Sequence, residues 1–219
     1  MTGGSKPVSL KISEIFFSLQ GEATRVGLPT VFVRLTGCPL RCVWCDSEHA
    51  FAGGKRMSQA QIIEAVTGYG VRQVCVTGGE PLAQKGCLPL LTALCDAGYD
   101  VSLETSGALD IGGVDPRVSR IVDLKAPDSG ESAKNRWQNL ELLTSHDELK
   151  FVLMSRADYE WARDTITKHQ LDSLCPLLFS TVQGLLDPVD LAEWILADRL
   201  PVRFQMQLHK LLWGNMQGK

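Results

Sequence analysis

The sequence lacks an excess of basic charge. Its 22 Lys and Arg stand against 25 Asp and Glu, a formal net charge of −3. A protein whose main partner is nucleic acid carries the opposite, a strongly basic footprint. The chain also lacks any apolar run near the ~20 residues that a membrane-spanning helix needs. Residues 1–10 hold a single lysine and no apolar stretch of signal-peptide length, so a soluble, cytoplasmic protein is expected, with neither membrane nor nucleic acid as partner. No Pro-, Ser- or Gly-rich linker and no block of like charge divides the 219 residues, and residues 1–219 read as a single domain with one sizeable core. The cysteines lack both an even count and a regular spacing. Of the seven, Cys75, Cys87, Cys95 and Cys175 sit in apolar or helical contexts and read as buried free thiols of a reducing compartment.

The other three differ. Cys38, Cys42 and Cys45 fall within eight residues at the spacing C-x3-C-x2-C, and thiolates converging from one tight loop suit a soft metal centre, either zinc or an iron–sulfur cluster. A structural zinc takes four ligands, which here would require Cys75, His49 or a second chain to complete the set. A cubane cluster on three cysteines instead leaves one iron without a protein ligand, and an open coordination position marks a reactive metal. The loop residues by themselves leave both readings open.

Around this loop the chain alternates between two hydrophobic periods. Residues 8–19 carry Leu10, Ile12, Ile15, Phe16, Phe17 and Leu19 in partly alternating order and read as a short extended lead-in strand, followed by Gln20-Gly21-Glu22. Residues 30–36 are a β run that enters the cysteine loop directly, with Arg34 among Val31, Phe32, Val33 and Leu35. A guanidinium there is either an edge residue in water or the partner of a buried anion. Residues 51–56 are Gly-rich and read as irregular, and Ser58-Gln59-Ala60-Gln61 is a capping box that opens a helix to about residue 67. Strands follow at 71–77, 100–104, 120–125, 148–154, 177–181 and 202–206, with helices over 88–95, 157–169 and 187–197, the last with Asp187 as N-cap and Pro188 in its first turn. About six core strands, mostly separated by helices, predict an α/β fold with a mainly parallel sheet. A closed eightfold barrel takes about 250 residues, so the expected architecture is an incomplete (β/α)6-type barrel with an N-terminal lead-in strand. Sites in such folds lie at the carboxyl ends of the strands, which is where the cysteine loop, Gly78-Gly79-Glu80-Pro81, Glu104-Thr105-Ser106-Gly107 and Lys125-Ala126-Pro127 all fall. The Gly-Gly-Glu-Pro turn has no phosphate-loop spacing. Its glycines permit close backbone approach, and an ionised Glu80 offers acceptors to a cation.

With an aromatic, Trp44, just before its last cysteine, the loop resembles the signature of the radical S-adenosylmethionine (SAM) superfamily, and Gly78-Gly79-Glu80 resembles that superfamily's Gly-Gly-Glu segment. The flanking stretches narrow the resemblance. Phe17-Ser-Leu-Gln-Gly-Glu22, Val31-Phe-Val-Arg-Leu-Thr-Gly-Cys38, Val76-Thr-Gly-Gly-Glu-Pro81, Leu103-Glu-Thr-Ser-Gly107 and Met206-Gln-Leu-His-Lys210 together resemble the 7-carboxy-7-deazaguanine synthase family over nearly the whole chain. That resemblance implies a lyase of 7-deazapurine (queuosine) biosynthesis, contracting 6-carboxy-5,6,7,8-tetrahydropterin to 7-carboxy-7-deazaguanine with loss of ammonia. It implies a [4Fe–4S] cluster, SAM and Mg2+ as cofactors, a flavodoxin- or ferredoxin-type reductant, and a homodimer. Carried over position by position, Cys38, Cys42 and Cys45 would ligate the cluster and Ser47 the Mg2+. Trp44, Asp46, Gly79, Glu80, Glu104, Lys125, Ser180 and Gln183 would line the cofactor site. Leu19, Gln20, Gly21, Glu22, Arg34, Thr77 and His209 would meet the substrate, Arg34 through its carboxylate, and no side chain is assigned a catalytic step beyond the cofactor radical. The chain departs from the family in having Ser47 for threonine, Asp123-Leu124-Lys125 for Ser-Pro-Lys, Ser180-Thr181 for Gln-Pro, and a longer run after His209-Lys210. The alternatives are an activating enzyme for a glycyl-radical protein, which shares the cysteine spacing, and a non-catalytic zinc-binding module. Gln20-Gly21-Glu22 and His209-Lys210 speak against the first.

Overall fold

The computed structural model describes residues 9–214, 216 and 218. Val8, the first residue of the expected lead-in strand, and the terminal Lys219 lie outside the described residues. The strands are β1 (Ser9–Leu19), β2 (Pro29–Leu35), β3 (Lys55–Ser58), β4 (Gln73–Gly78), β5 (Asp100–Thr105), β6 (Ser119–Asp123), β7 (Glu148–Leu153), β8 (Leu177–Thr181) and β9 (Arg203–Phe204). They form one sheet in the order β3-β1-β2-β4-β5-β6-β7-β8-β9. From β2 to β9 each pairing is parallel, whereas β1 runs antiparallel to both β2 and β3. The two ends of the order, β3 and β9, do not pair with each other, and the barrel stays open as expected.

Period-two alternation divides the parallel strands into two faces. On the outer face, Val31, Val33 and Leu35 of β2, Val74 and Val76 of β4, Val101 and Leu103 of β5, and Leu149, Phe151 and Leu153 of β7 belong to one buried cluster. They meet side chains of the helices α1 (Gln59–Thr67), α2 (Cys87–Asp96), α3 (Arg156–His169) and α4 (Pro188–Asp198). Each such apolar side chain, taken out of water, contributes about 1.5–3 kcal/mol. The inner parity is far more polar, with Arg34, Thr77, Glu104, Asp123 and Lys150 on successive strands. The helices start where their caps dictate: Ser58 and Gln61 exchange both capping-box bonds at 3.3 and 2.9 Å, and Asp187 accepts from Val189 N–H at 2.9 Å with Pro188 in the first turn.

Two elements differ from expectation. Lys55 and Arg56, read as the end of an irregular Gly-rich stretch, begin the strand Lys55–Ser58, which pairs with Ser9–Ile12 because β1 offers it an open edge. The crossings from β5 to β6 and from β6 to β7, for which no helix was expected, are made of turns and the short 3-10 segments Pro127–Ser129, Ser132–Lys134 and Trp137–Leu142. A further short helix, α5 (Leu208–Trp213), follows β9. All seven cysteines are free; Cys75, Cys87 and Cys175 are buried, but Cys95 is only partly covered, packed at the edge of the core. Among the described residues no helix is long and apolar enough to cross a membrane.

Candidate active site

The connection between β1 and β2 forms the floor of the site. Residues 20–28 close on themselves through Gln20 N–H to Leu28 O and Gly27 N–H to Gln20 O, both 2.8 Å, and pass under the amino ends of the parallel strands. Thr24 donates to Glu148, at the start of β7, through its N–H (2.9 Å) and its hydroxyl (2.5 Å), and Arg25 pairs with Asp100 at the start of β5 at 2.7 Å. Ala23 is buried against Ile121 and Leu178 on the inner face of the sheet. Anchored in this way, Leu19, Gln20, Gly21 and Glu22 look into the half-barrel.

The cysteine loop is a wall at the carboxyl end, and the Gly-Gly-Glu-Pro turn holds it there. Glu80 N–H donates to Gly37 O at 2.7 Å, and a Cβ on Gly79 would stand 2.8 Å from Cys38 Cβ, closer than side chains come, so glycine is what lets the two loops touch. Here one expectation is corrected. The Glu80 carboxylate does not face the cavity; it is fully buried and accepts from Leu82 N–H, the Thr105 hydroxyl, and the N–H and hydroxyl of Ser106. A buried carboxylate requires a full set of donors, and the Glu104-Thr105-Ser106-Gly107 loop supplies them, so Glu80 ties two loops together. From the outer side the cysteine loop is held by Val43 N–H to Ser129 O (3.1 Å), Arg41 N–H to Glu131 (2.5 Å) and Lys134 Nζ to Pro39 O (3.1 Å).

The segment around α5 covers the open side. Leu208 N–H donates to Gly21 O at 2.9 Å, Gln207 Nε2 to Glu22 Oε1 at 2.6 Å, and Lys210 Nζ lies 3.0 Å from Asp46 Oδ2. The His209 ring rests directly on Gly21, which has no side chain to keep it off.

These segments enclose a cavity of about 750 Å3. It is lined by Cys38, Cys42, Cys45, Trp44, Asp46, Ser47, Gly79, Glu104, Lys125 and Gln183, and by Leu19, Gln20, Gly21, Glu22, Arg34, Thr77 and His209. Of the residues expected from sequence, Glu80 and Ser180 are not brought to it. Ser180 is 2% exposed within β8, and because that strand ends at Thr181 it is Thr181, Val182 and Gln183 that reach the mouth. Cys75 lies on β4 at 0% exposure and is not part of the cavity lining that holds the three loop thiols. Arg34 has an internal partner that the sequence reading passed over: its Nε donates to Glu14 at 2.8 Å, and Glu14 also lies 3.3 Å from His49 Nε2. The two terminal nitrogens of Arg34 have no hydrogen-bond partner among the described residues. Asp123, Lys150, Gln207 and Lys210 line the cavity too, and the first two could have been found by carrying the inner parity of the strands through β6 and β7.

Charges alternate along the cavity. Lys150 Nζ is 2.6 Å from Glu22 and 3.7 Å from Asp123, and Lys125 Nζ is 3.0 Å from the same Asp123 oxygen. Burial works to raise the Glu22 carboxyl, but Lys150 and Gln207 outweigh it and hold Glu22 below the ordinary glutamate value. For Lys150 burial pulls downward, and Glu22, Asp123 and Glu104 together lift it well above an ordinary lysine. Glu104 accepts from the Thr77 hydroxyl at 2.8 Å and from Gln20 Nε2 at 3.4 Å.

The donor set suits an iron–sulfur cluster. The three loop thiols are free, half-buried and on one wall of one cavity, although among the described residues no three His, Cys, Asp or Glu side chains are already gathered as a metal site. Burial first, then Asp123 beside Cys42 and Asp46 beside Cys45, and the neighbouring thiols last, oppose ionisation of Cys42 and Cys45, a penalty that bound iron would offset. At Ser47 the hydroxyl is oriented by a 3.0 Å bond to Asp46 Oδ1; one such oxygen suits a Mg2+ that keeps most of its waters.

A half-barrel with three thiols at its carboxyl mouth defines a radical SAM protein, and the profile of the Radical SAM superfamily matches residues 32–168. The chain is similar to the 7-carboxy-7-deazaguanine synthase of Koribacter versatilis, at 43% identity over 93% of this chain and 97% of the relative. It is similar to that of Chlorobaculum tepidum at 46% identity over 96% and 97%. The crystal structure of QueE from Escherichia coli shares the fold, with a TM-score of 0.75 at 23% identity, covering 90% of this chain and 94% of that one. The chain belongs to the 7-carboxy-7-deazaguanine synthase family of the radical SAM superfamily.

Proposed function

We propose that the protein is a radical SAM lyase that contracts 6-carboxy-5,6,7,8-tetrahydropterin to 7-carboxy-7-deazaguanine with loss of ammonia, in 7-deazapurine (queuosine) biosynthesis. One observation carries the reading: the floor residues Gln20 and Glu22, with Arg34 and Thr77, face the same cavity as the three thiols, from segments far apart in the sequence. A [4Fe–4S] cluster on Cys38, Cys42 and Cys45, together with SAM, supplies one-electron hydrogen-abstraction chemistry. The backbone at Gly79 and the side chains of Trp44, Asp46, Glu104, Lys125 and Gln183 would hold the cofactor. Glu22 would accept from N–H groups of the pterin, with Gln20, Thr77 and His209 completing its contacts and Leu19 and Gly21 its shape. The terminal nitrogens of Arg34 present a fork suited to the substrate carboxylate, and Ser47 would share Mg2+ with that carboxylate. The segment around α5 keeps bulk water from the open side. The family also supports residues 1–219 as one catalytic domain, a cytoplasmic homodimer, and a flavodoxin- or ferredoxin-type electron donor.

Anaerobic turnover tests the reading. Reconstituted protein with the carboxytetrahydropterin, SAM, Mg2+ and reductant should release 7-carboxy-7-deazaguanine and ammonia while SAM is used catalytically. A colourless protein with stoichiometric zinc, or SAM cleavage that the pterin leaves unchanged, would overturn it.

A further inference from the structure

Lys150 lies on β7 between Leu149 and Phe151, both part of the apolar cluster on the other face. Its own side chain points inward to the cavity, only 13% exposed. A buried ion pair is a poor way to stabilise a fold, since apolar residues of similar volume usually do as well or better. The cavity, not the core, is what this charge serves. Lys150 Nζ holds Glu22 Oε2 at 2.6 Å while Gln207 Nε2 holds Oε1 at 2.6 Å. Each carboxylate oxygen accepts about two hydrogen bonds, so this two-sided clamp fixes the plane of the carboxylate and leaves acceptor capacity on both oxygens.

We propose that Lys150 is a positioning residue for the reaction, keeping Glu22 ionised and aimed so that it can only accept hydrogen bonds from the substrate. The inference rests on the proposed function in taking Glu22 to meet the pterin. The titratable groups around the Glu22–Lys150 pair are Asp46 from the cysteine loop and His209 from the C-terminal segment, which face Glu22, and Asp123 from the end of β6 and Glu104 from β5, which face Lys150. Three of these are acids. Take Lys150 away and burial among them favours a protonated Glu22, one oxygen of which then donates where the substrate also donates. Asp123 and Lys125 continue the same row, so the loss is local to Glu22.

The test compares Lys150→Met, Lys150→Arg and the double variant Lys150→Met/Glu22→Gln as reconstituted holoenzymes. For Lys150→Met the KM for the carboxytetrahydropterin should rise on the order of 10- to 100-fold at neutral pH, as expected when a charge-assisted contact is lost, and should recover as the pH is raised. Wild type should show no such acid limb, kcat should change less than KM, and Lys150→Arg should restore most of the binding. An infrared carbonyl band from a protonated carboxyl should appear in Lys150→Met at neutral pH and vanish in the double variant, a readout that requires no substrate. The double variant should also melt higher than Lys150→Met at neutral pH, because an amide escapes the cost of protonating a buried carboxyl there. A flat pH profile, absence of the band, or Lys150→Arg as impaired as Lys150→Met overturns the proposal, and a double variant no more stable than the single one makes Lys150 a support of the fold. If wild type fails to turn over the pterin, the functional reading fails by itself, and the infrared band still decides whether Lys150 governs Glu22.

Discussion

Replacing Gly21 by alanine tests how the C-terminal segment closes the site. A Cβ at Gly21 would lie 3.0 Å from Cγ and 3.2 Å from Cε1 of His209, and closer still to Nδ1. Gly21 does not occupy the left-handed region, so its backbone tolerates alanine and only the ring resists. Leu208 N–H, bonded to Gly21 O at 2.9 Å, holds the neighbouring backbone beside Gly21, so the ring can relieve the clash only by leaving its present rotamer. Inserting a methyl into such a contact costs about 1–3 kcal/mol. No residue of α5 belongs to the apolar cluster between sheet and helices, so the strain should fall on the closing segment, lowering kcat/KM for the pterin by about tenfold or more while the melting temperature drops by only a few degrees. A double-mutant cycle isolates the contact. In a His209→Ala background the methyl has room, and Gly21→Ala should then add less than about 0.5 kcal/mol, giving a coupling of about 1–3 kcal/mol. Strictly additive effects would mean that His209 does not rest on Gly21 in the working enzyme.

Other perturbations give separable outcomes. Cys38→Ala, Cys42→Ala and Cys45→Ala should each lose iron on reconstitution, while Cys75→Ala, Cys87→Ala, Cys95→Ala and Cys175→Ala keep it; iron analysis showing the reverse pattern refutes the ligand assignment. Arg34→Lys keeps a charge for Glu14 but loses the fork, and should raise the substrate KM about 10- to 100-fold with cluster content unchanged; failure to assemble the cluster would make Arg34 structural. Ser47→Ala should shift the Mg2+ titration of turnover more than it shifts SAM binding, and an unshifted titration counts against Ser47 as a ligand. Asp147, 1% exposed, accepts from Arg120 N–H, Nε and Nη2 and from Thr144. Burial raises its carboxyl, but these donors outweigh that and hold it below the ordinary aspartate value. Because the folded value is the lower one, its stabilisation is full above about pH 4 and fades as the pH falls through the folded value. Asp147→Asn should therefore cost about 3–5 kcal/mol in denaturant melts at neutral pH, and the gap to wild type should narrow below about pH 4; a gap that stays constant with pH would refute the charge argument.

The parts of the molecule read correctly from sequence are those where local signals and packing agree. Ser58-Gln59-Ala60-Gln61 starts α1 because the cap is complete within four residues, and alternating strands and helices suffice for an open parallel half-barrel. Segments governed by distant partners were not readable. Lys55–Ser58 is a strand only because β1 has an edge to offer, and α5 forms where only a motif, not a helix, was read. In the site, the cysteine spacing located the thiols and the family resemblance pointed to the floor, but neither showed where side chains turn. Glu80 has the composition of a cation acceptor, and what turns it inward is Thr105 and Ser106, 25 and 26 positions away. Arg34 called for a buried anion, and Glu14, 20 positions earlier, meets that need on Nε only.

An open barrel also explains how so many charges coexist in so small a protein. The outer parity of the strands and the helices make up the stabilising apolar cluster, so the inner parity is released from packing and can carry Glu104, Asp123 and Lys150 at little cost to the fold. The same openness leaves one side uncovered, and the chain covers it with residues that reach both halves of the site at once. Gln207 grips Glu22 on the floor, and Lys210 grips Asp46 beside the last cysteine. Closure and the joining of floor to thiol wall are thus one event, made by a segment of a few residues whose register is set by the bond from Leu208 to Gly21. A change that frees this segment should weaken the pterin end and the cluster end together, even though neither set of residues has been altered.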